Sequence, residues 1–372
     1  MRETLDTEAF RIQRCWWWGR RDRQRNSRVW GAVETHRSRA VSPSRPPLAF
    51  SLPLTGVDAR EGVEVAREAE QRGFSACWAA EVQGPDAFTT LGALAVTTGL
   101  DLGVAVVPAQ TRSPFVLGMT ARSLAELSGD RFTLGIGASS EVIVGRWAGI
   151  AFDKPLTHVR ETVEAIRPML DGEKSTFEGE LVTVGGYRPH RSPAERVPLV
   201  LGALNPRSCR MVGELGVDGI CLNQLAPKHV PMVLDEVAKG AGGQLPQDFT
   251  VVARLFCAVT DDVPGMRQIV KATFGNYIAT SVYNKFYRWM GYEDVADGVL
   301  EAKERGDREG MAAAVTDELV DDLFCLGTAE QVASKVADYC DAGVTVPALM
   351  PLAMGREQSA QALWNIADAY HR

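Results

Sequence analysis

The chain has 372 residues, of which 45% are hydrophobic and 23% are charged, a balance typical of a folded protein with a sizeable core. It contains no apolar run of about 18 uncharged residues, and its start has no continuous apolar segment, so neither a membrane span nor a secretory signal is expected. Its seven cysteines are an odd number without a C-x-x-C pair, which favours reduced thiols in a cytosolic protein over disulfides or a zinc site.

The first 46 residues differ from the rest. The formal net charge is −7, yet residues 1–46 hold eleven Arg and no Lys against five acidic residues, so this segment carries +6 and the remainder −13. A basic arm with Trp16, Trp17 and Trp18 stacking on bases is one interpretation. We favour a disordered extension, or a start codon assigned too far upstream, because the acidic remainder would repel nucleic acid. Neither nucleic acid nor a membrane is an expected partner.

From residue 47 onward, short apolar runs alternate with amphipathic stretches of helical period. The predicted strands cover residues 48–52, 74–80, 101–107, 131–137, 198–203, 216–222, 249–259 and 344–349. The predicted helices cover residues 58–72, 86–98, 114–128, 155–170, 227–239, 328–342 and 356–370, with one more from Asn205 and several between 262 and 317. Eight such units predict an α/β fold, a (β/α)8 TIM barrel over residues 47–372. A doubly wound open sheet is the alternative, because periodicity does not detect closure.

Two insertions interrupt this alternation. Residues 172–197 contain a stretch, 177–186, that is typical of a small β-hairpin after the fourth helix. Residues 262–325 are too long for one helix and include an aromatic-rich segment, 283–289, which indicates a lid or a subunit contact.

The chemistry is expected just after each strand, because the active site of such a barrel lies at the carboxyl ends of the strands. Glu81 follows the second strand and is either a general acid or base or a structural carboxylate bonded to a neighbouring loop. Asn205 and Pro206 follow the fifth strand and start a helix abruptly. The free N–H groups of that helix end could bind a phosphate, or the pair could serve as a cap and nothing more.

Known nucleotide and hydrolase motifs are missing. Gly135 and Gly137 begin like the dinucleotide motif G-x-G-x-x-G, but its sixth position is Ser140 and it follows the fourth strand. Small residues there would instead let a flat ring approach the backbone. The sequence has no Walker A, H-E-x-x-H or G-x-S-x-G motif, and its five His have no ligand spacing. Nucleotide hydrolysis, α/β-hydrolase chemistry and metal catalysis are therefore not expected.

Several segments carry a resemblance to a known family. Residues 122–137 resemble the signature of the bacterial luciferase-like superfamily. The segments similar to its actinobacterial F420-dependent branch are residues 78–81, 86–89, 147–155, 201–206 and 217–220. The resemblance spans residues 47–372 and leaves 1–46 without a counterpart. It implies a barrel with a deazaflavin (coenzyme F420) or a flavin such as FMN across the strand ends, and hydride transfer between the ring and a small organic substrate.

The resemblance also implies roles for particular residues. In that family a non-proline cis peptide after the third strand supports the ring, and the equivalent bond here joins Ala105 and Val106. The cofactor phosphate lies near the ends of strands five and six. The cofactor-binding residues expected on this basis are Ala105, Val106, Gly137, Ala203, Leu204, Asn205, Asn223 and Gln224. Members often pair through helices two and three, so a homodimer is expected.

Two positions depart from the family pattern. Sugar-phosphate dehydrogenases of the family carry an Asp-His pair where this chain has Glu81 and Val82, and an acidic residue where it has Ser140. Oxidation of glucose 6-phosphate is therefore not expected, and the luciferase-type His base is missing too. The leading hypothesis is an F420-dependent oxidoreductase with Glu81 as the candidate catalytic residue. The alternatives are an FMNH2-dependent monooxygenase and a catalytically idle barrel that only binds the cofactor.

Overall fold

The barrel is closed by eight parallel strands in a computed structural model, which describes residues 45–190 and 195–372. The strands are β1 (Ala49–Leu52), β2 (Ala76–Ala79), β3 (Asp101–Val104), β4 (Val107–Pro108), β5 (Phe132–Gly137), β6 (Ser175–Glu178), β7 (Thr183–Tyr187), β8 (Leu199–Gly202), β9 (Gly219–Asn223), β10 (Thr250–Val259), β11 (Cys325–Gly327) and β12 (Val346–Pro351). The ring runs β1–β2–β3–β5–β8–β9–β10–β12, and β12 pairs back with β1. The predicted TIM barrel is confirmed and the open sheet is wrong.

Helices follow the barrel strands and cover the outside of the ring. They are α1 (Ala59–Gln71), α2 (Ala87–Thr97), α3 (Pro114–Ser128), α4 (Pro155–Leu170), α5 (Pro206–Glu214), α6 (Val230–Gly240), α7 (Val263–Ile278), α8 (Ser281–Trp289), α9 (Glu293–Glu304), α10 (Arg308–Ala314), α11 (Asp317–Leu323), α12 (Ala329–Asp341) and α13 (Arg356–Tyr370). A π-helical turn (142–147) follows β5, and a 3-10 turn (227–229) precedes α6. The π-helical turn was not predicted, whereas the 3-10 turn forms the start of the helix predicted over residues 227–239.

The interior of the barrel is small and aliphatic except for one indole. Because successive strand residues point to opposite faces, every second side chain enters the ring. Val200, Cys221 and Val252 pack there against Trp78. Gly103 makes room for this indole, since a Cβ at Gly103 would lie 2.4 Å from Trp78 Cε3. The opposite faces of the strands pack against the helices in the larger core. This packing closes the lumen below the strand ends.

Local capping explains why several predicted helix limits agree with the structure. Asp58 caps α1 in a capping box with Glu61. Ser113 caps α3, Pro114 occupies its first turn, and Gly129 ends it in the left-handed conformation at φ 67°. These capping interactions involve only residues within a few positions of each other, so they can be predicted from the sequence alone.

The predicted hairpin is confirmed as the antiparallel pair β6–β7. Glu161 of α4 ties it to the barrel by accepting hydrogen bonds from the backbone N–H groups of Glu180, Leu181 and Val182 at 2.8, 2.7 and 2.9 Å. Burial raises the pKa of the Glu161 carboxyl, but these hydrogen bonds outweigh it, so the pKa is lowered overall.

The second insertion consists of five helices, α7 to α11, followed by the unpredicted strand β11. β11 pairs with the outer part of β10, with Cys257 opposite Cys325. Phe256 of β10, Phe274 of α7 and Phe324 form an aromatic cluster with ring centroids 4.6 to 5.8 Å apart. The insertion is therefore anchored on the part of β10 that extends beyond its pairing with β9.

The third strand also differs from its prediction. It is split into β3 and β4, with Ala105 and Val106 between them. Most of the predicted extension, residues 1–44, lies outside the described residues. In the described part of the chain, no helix is both long and apolar enough to cross a membrane.

Candidate active site at the carboxyl ends of the strands

The break in the third strand forms one wall of the barrel mouth. The Ala105–Val106 peptide is cis, as the resemblance implied. Both residues pack on the barrel interior, and the Val106 side chain lies against two glycines of neighbouring strands. A Cβ at Gly137 would lie 2.8 Å from Val106 Cγ2, and one at Gly202 would lie 3.3 Å from both Val106 methyl carbons. This wall is consequently apolar and has no bulky side chain beside Val106.

Glu81, the candidate acid or base, is held by an arginine. Its two carboxylate oxygens accept hydrogen bonds from Arg112 at 2.5 and 2.7 Å. Arg112 also donates to Asp86, the N-cap of α2, and its guanidinium lies 4.9 Å from the centre of the Phe88 ring. Hydrogen bonding to Glu81 raises the pKa of Arg112 despite its partial burial. The geometry favours the structural alternative for Glu81, which joins the loops after β2 and β4.

Asn205 caps α5 as predicted, and the cap uses most of the donors at that helix end. Asn205 Oδ1 accepts from the Ser208 N–H at 2.9 Å. Ser208 Oγ in turn accepts from the N–H groups of Asn205 and Leu204, at 3.1 and 3.2 Å. Pro206, the next residue, has no N–H. An anion at this helix end would find few free backbone donors, so the capping interpretation gains weight. Ala203 and Leu204 precede the cap directly.

Asn223 and Gln224 meet the insertion at the end of β9. Asn223 Nδ2 donates to the Tyr283 hydroxyl at 2.9 Å, and the Tyr287 hydroxyl donates to Gln224 Oε1 at 3.0 Å. Gln224 adopts φ 55°, a left-handed conformation that a non-glycine residue rarely takes and that is often found at functional sites. Burial raises the pKa of Tyr283 to about 12. α8 therefore covers this part of the mouth, as a lid would.

Several buried polar atoms near the mouth have no hydrogen-bond partner. They include Asn223 Oδ1, Gln224 Nε2 and both amide atoms of Gln110, the second residue after β4. Buried amides are nearly always hydrogen-bonded in folded proteins, so these unpaired groups at the strand ends are candidates for binding a ligand.

Arg254 was missed by the sequence analysis. It lies within β10, opposite Asn223 of β9. Its Nε is buried without a partner, while the residue as a whole stays partly accessible. The available signal was a single charged residue inside the apolar run 250–259. Strand alternation would have placed it inside the barrel with Val252.

The family model of luciferase-like monooxygenases matches residues 41–346. The chain belongs to this family, and the expectation of an oxidoreductase is confirmed.

The chain is also similar to individual proteins over most of their length. The chain is 30% identical to the 5,10-methylenetetrahydromethanopterin reductase of Archaeoglobus fulgidus, over 79% of this chain and 90% of the relative. It is also 30% identical to a Mycobacterium tuberculosis protein provisionally named a coenzyme F420-dependent oxidoreductase, over 76% of this chain and 88% of that one. The structure of the coenzyme F420-dependent tetrahydromethanopterin reductase from Methanopyrus kandleri has the same fold, with a TM-score of 0.73, 20% identity, and coverage of 88% of this chain and 98% of that one.

Proposed function

We propose that the chain is an F420-dependent oxidoreductase that transfers a hydride between the deazaflavin cofactor and a small organic substrate. The observation that carries this proposal is the 30% identity to the Archaeoglobus reductase and to the Mycobacterium protein, over 90% and 88% of their lengths. The likeness covers most of both relatives, and the strand ends of such a barrel are where its chemistry is located.

The residues at the strand ends fit a flat, partly polar cofactor. Val106, with Gly137 and Gly202 beside it, offers an apolar wall without bulky neighbours. The unpaired atoms of Gln110, Asn223 and Gln224 provide buried donors and acceptors. A deazaflavin ring has an apolar face and a pyrimidine edge with both kinds of group, and when bound it supplies or accepts two electrons as a hydride.

Each predicted cofactor residue has a place in this proposal. Ala105 and Val106 would support the ring, and Gly137 would keep the space beside it open. Asn223 and Gln224 would hydrogen-bond the cofactor through their free atoms. The other predicted residues, which would lie along its tail, are Ala203, Leu204 and Asn205.

A titration of the purified full chain with F420 and, separately, with FMN tests the proposal. We expect F420 to bind tightly and FMN to bind weakly, as followed by the fluorescence of each cofactor. Tight binding of FMN alone would overturn the proposal in favour of the FMNH2-dependent monooxygenase. F420 binding without turnover of any substrate in a reduced-cofactor screen would support the idle barrel.

A pair of glycine variants locates the binding. The added methyl group of Gly137→Ala would lie 2.8 Å from Val106 Cγ2 and must displace this side chain, so F420 affinity should fall. Gly185→Ala, on the hairpin, has open space around its new methyl group and should bind F420 like the wild type. Equal affinities in the two variants would place the cofactor elsewhere.

A further inference from the structure

We propose that Arg254 binds an anionic group of the substrate, a carboxylate or a phosphate, so that the organic substrate of this barrel is an oxyanion. The part of this inference that assigns the anion to a substrate rests on the proposed function. The part that assigns anion binding to Arg254 stands on the structure of the barrel mouth alone.

The position of Arg254 follows from strand alternation. Val252, two residues earlier on β10, packs inside the barrel with Trp78 and Cys221. Cys221 is the register partner of Val252, and Asn223 is the register partner of Arg254. Arg254 and Asn223 thus lie side by side, one layer above the closed interior, where the lumen opens.

No acidic side chain compensates the charge of Arg254. Among residues 45–190 and 195–372, no Asp or Glu forms an ion pair with it, and its Nε is buried without an acceptor. Its neighbours are aromatic, with the Phe256 ring centre 5.1 Å from the guanidinium carbon. Arg112, at the same end of the barrel, has two carboxylate partners instead. Burial lowers the pKa of Arg254, and Tyr277 and Tyr283 offset only part of that effect.

An uncompensated cation in a largely enclosed site costs folding free energy. A neutral residue of similar length would cost less, so the arginine is unfavourable for the unliganded protein. The cost is offset when an oxyanion with matching geometry enters, since the planar guanidinium can donate two parallel hydrogen bonds to it.

The geometry of the ring assigns this anion to the substrate and not to the cofactor. Val106 follows the third strand of the ring and Arg254 lies on the seventh, so the two face each other across the mouth. A ring that rests on the Val106 wall leaves Arg254 on its far side, under the aromatic side chains of the insertion. A substrate must occupy the space between them to receive or donate a hydride.

Matched probe pairs test the inference on the full chain, with and without F420. Benzoate is compared with benzamide and phenyl phosphate with phenol, by calorimetric titration and thermal shift, so the two pairs distinguish a carboxylate from a phosphate. We expect at least one anion to bind more tightly than its neutral partner. Arg254→Gln should weaken that anion about 10- to 100-fold and leave the neutral probe unchanged.

Two further variants keep the result interpretable. Arg254→Lys retains the charge and should retain part of the preference. Arg146→Gln removes an exposed arginine from the π-helical turn at the mouth and should bind all probes like the wild type. Unliganded Arg254→Gln should melt at the same temperature as the wild type or higher, whereas a purely structural arginine would give a lower one.

The possible failures are distinguishable. Anion and neutral probes that bind equally to the wild type would overturn the inference, even if F420 binds as proposed. A loss of F420 affinity in Arg254→Gln without a loss of anion affinity would overturn the assignment to the substrate. If the wild type does not bind F420 but Arg254 still selects anions, the proposed function fails and the anion site stands.

Discussion

Two parts of the barrel mouth differ in whether their polar side chains have hydrogen-bond partners within the protein. At the ends of β2 and β8, the polar side chains are paired within the protein: Glu81 with Arg112, and Asn205 with Ser208. At β9 and β10, Asn223, Gln224 and Arg254 each keep a buried atom without a partner. Gln110, which follows β4 and not β9 or β10, is an exception, because its buried amide atoms also lack a partner.

This difference separates stability from binding. A paired group contributes to folding, so its removal should mainly lower the free energy of unfolding. An unpaired buried group destabilises the unliganded fold and completes its hydrogen bonds only when a ligand is present. Substitutions at β9 and β10 should therefore affect binding most, and substitutions at β2 and β8 should affect the fold or its local order. Variants at both pairs of strands test this distinction.

The largest effect is expected at Asn223. Asn223→Ala removes the free Oδ1 as well as the hydrogen bond to Tyr283, so F420 affinity should fall about 10- to 100-fold. The lost hydrogen bond should lower the free energy of unfolding by only about 1 kcal/mol. Fluorescence titration with F420 and urea unfolding of the same preparation measure the two quantities.

Tyr283→Phe is the matched control for Asn223→Ala. It removes the same hydrogen bond but keeps the Asn223 amide, so it should lower stability equally and F420 affinity much less. Equal losses of affinity in the two variants would show that Asn223 acts by holding α8 and not by contacting the cofactor.

A stability effect is expected where the insertion is attached. Tyr287→Phe leaves Gln224 Oε1 buried without its donor and should lower the free energy of unfolding by about 2 kcal/mol. Tyr277→Phe serves as the control, because the Tyr277 side chain is 38% exposed and should change stability by less than about 0.5 kcal/mol. Urea midpoints that are the same for both variants would contradict the view that α8 is fixed through Gln224.

The fold was largely predictable because its determinants are local. Ser113, Pro114 and Gly129 set both limits of α3, and the eight apolar runs define the barrel strands. The closure of the ring and the cis bond between Ala105 and Val106 could not be predicted from neighbouring residues alone. Closure follows from the number of strands, and the bond was expected only from a family resemblance.

The site was less predictable because its contacts join distant segments. Glu81 and Arg112 are 31 residues apart, and Asn223 and Tyr283 are 60 apart. Strand-end position pointed to Glu81 and the family resemblance pointed to Asn223, but neither could show which of them already has a partner. Only the packed structure distinguishes a paired side chain from an unpaired one, whereas Arg254 could have been recognised as the single charged residue of the apolar run 250–259.

A smaller effect is expected at Glu81 if it positions the loops. Glu81→Gln keeps one acceptor for Arg112, so kcat should fall less than about tenfold, and the shape of the pH profile should not change. Asp86→Asn should have a similarly small effect on kcat, since it weakens the other carboxylate contact of Arg112 and Asn remains a good N-cap. A fall of about 100- to 10,000-fold with loss of one limb of the pH profile, in Glu81→Gln alone, would instead identify Glu81 as the general acid or base.

The smallest effect on binding is expected at Asn205, whose side chain is already used by the helix. Asn205→Ala should lower the free energy of unfolding by about 1 kcal/mol through the lost cap. Thr328→Ala removes the equivalent capping box from α12 and should cost the same. F420 affinity should then agree between the two variants within about threefold, because each loses a cap and the Asn205 side-chain oxygen is already bonded to the Ser208 N–H. A clearly weaker affinity in Asn205→Ala would mean that the start of α5 binds the cofactor phosphate after all, and that the paired and unpaired sides of the mouth both belong to the binding site.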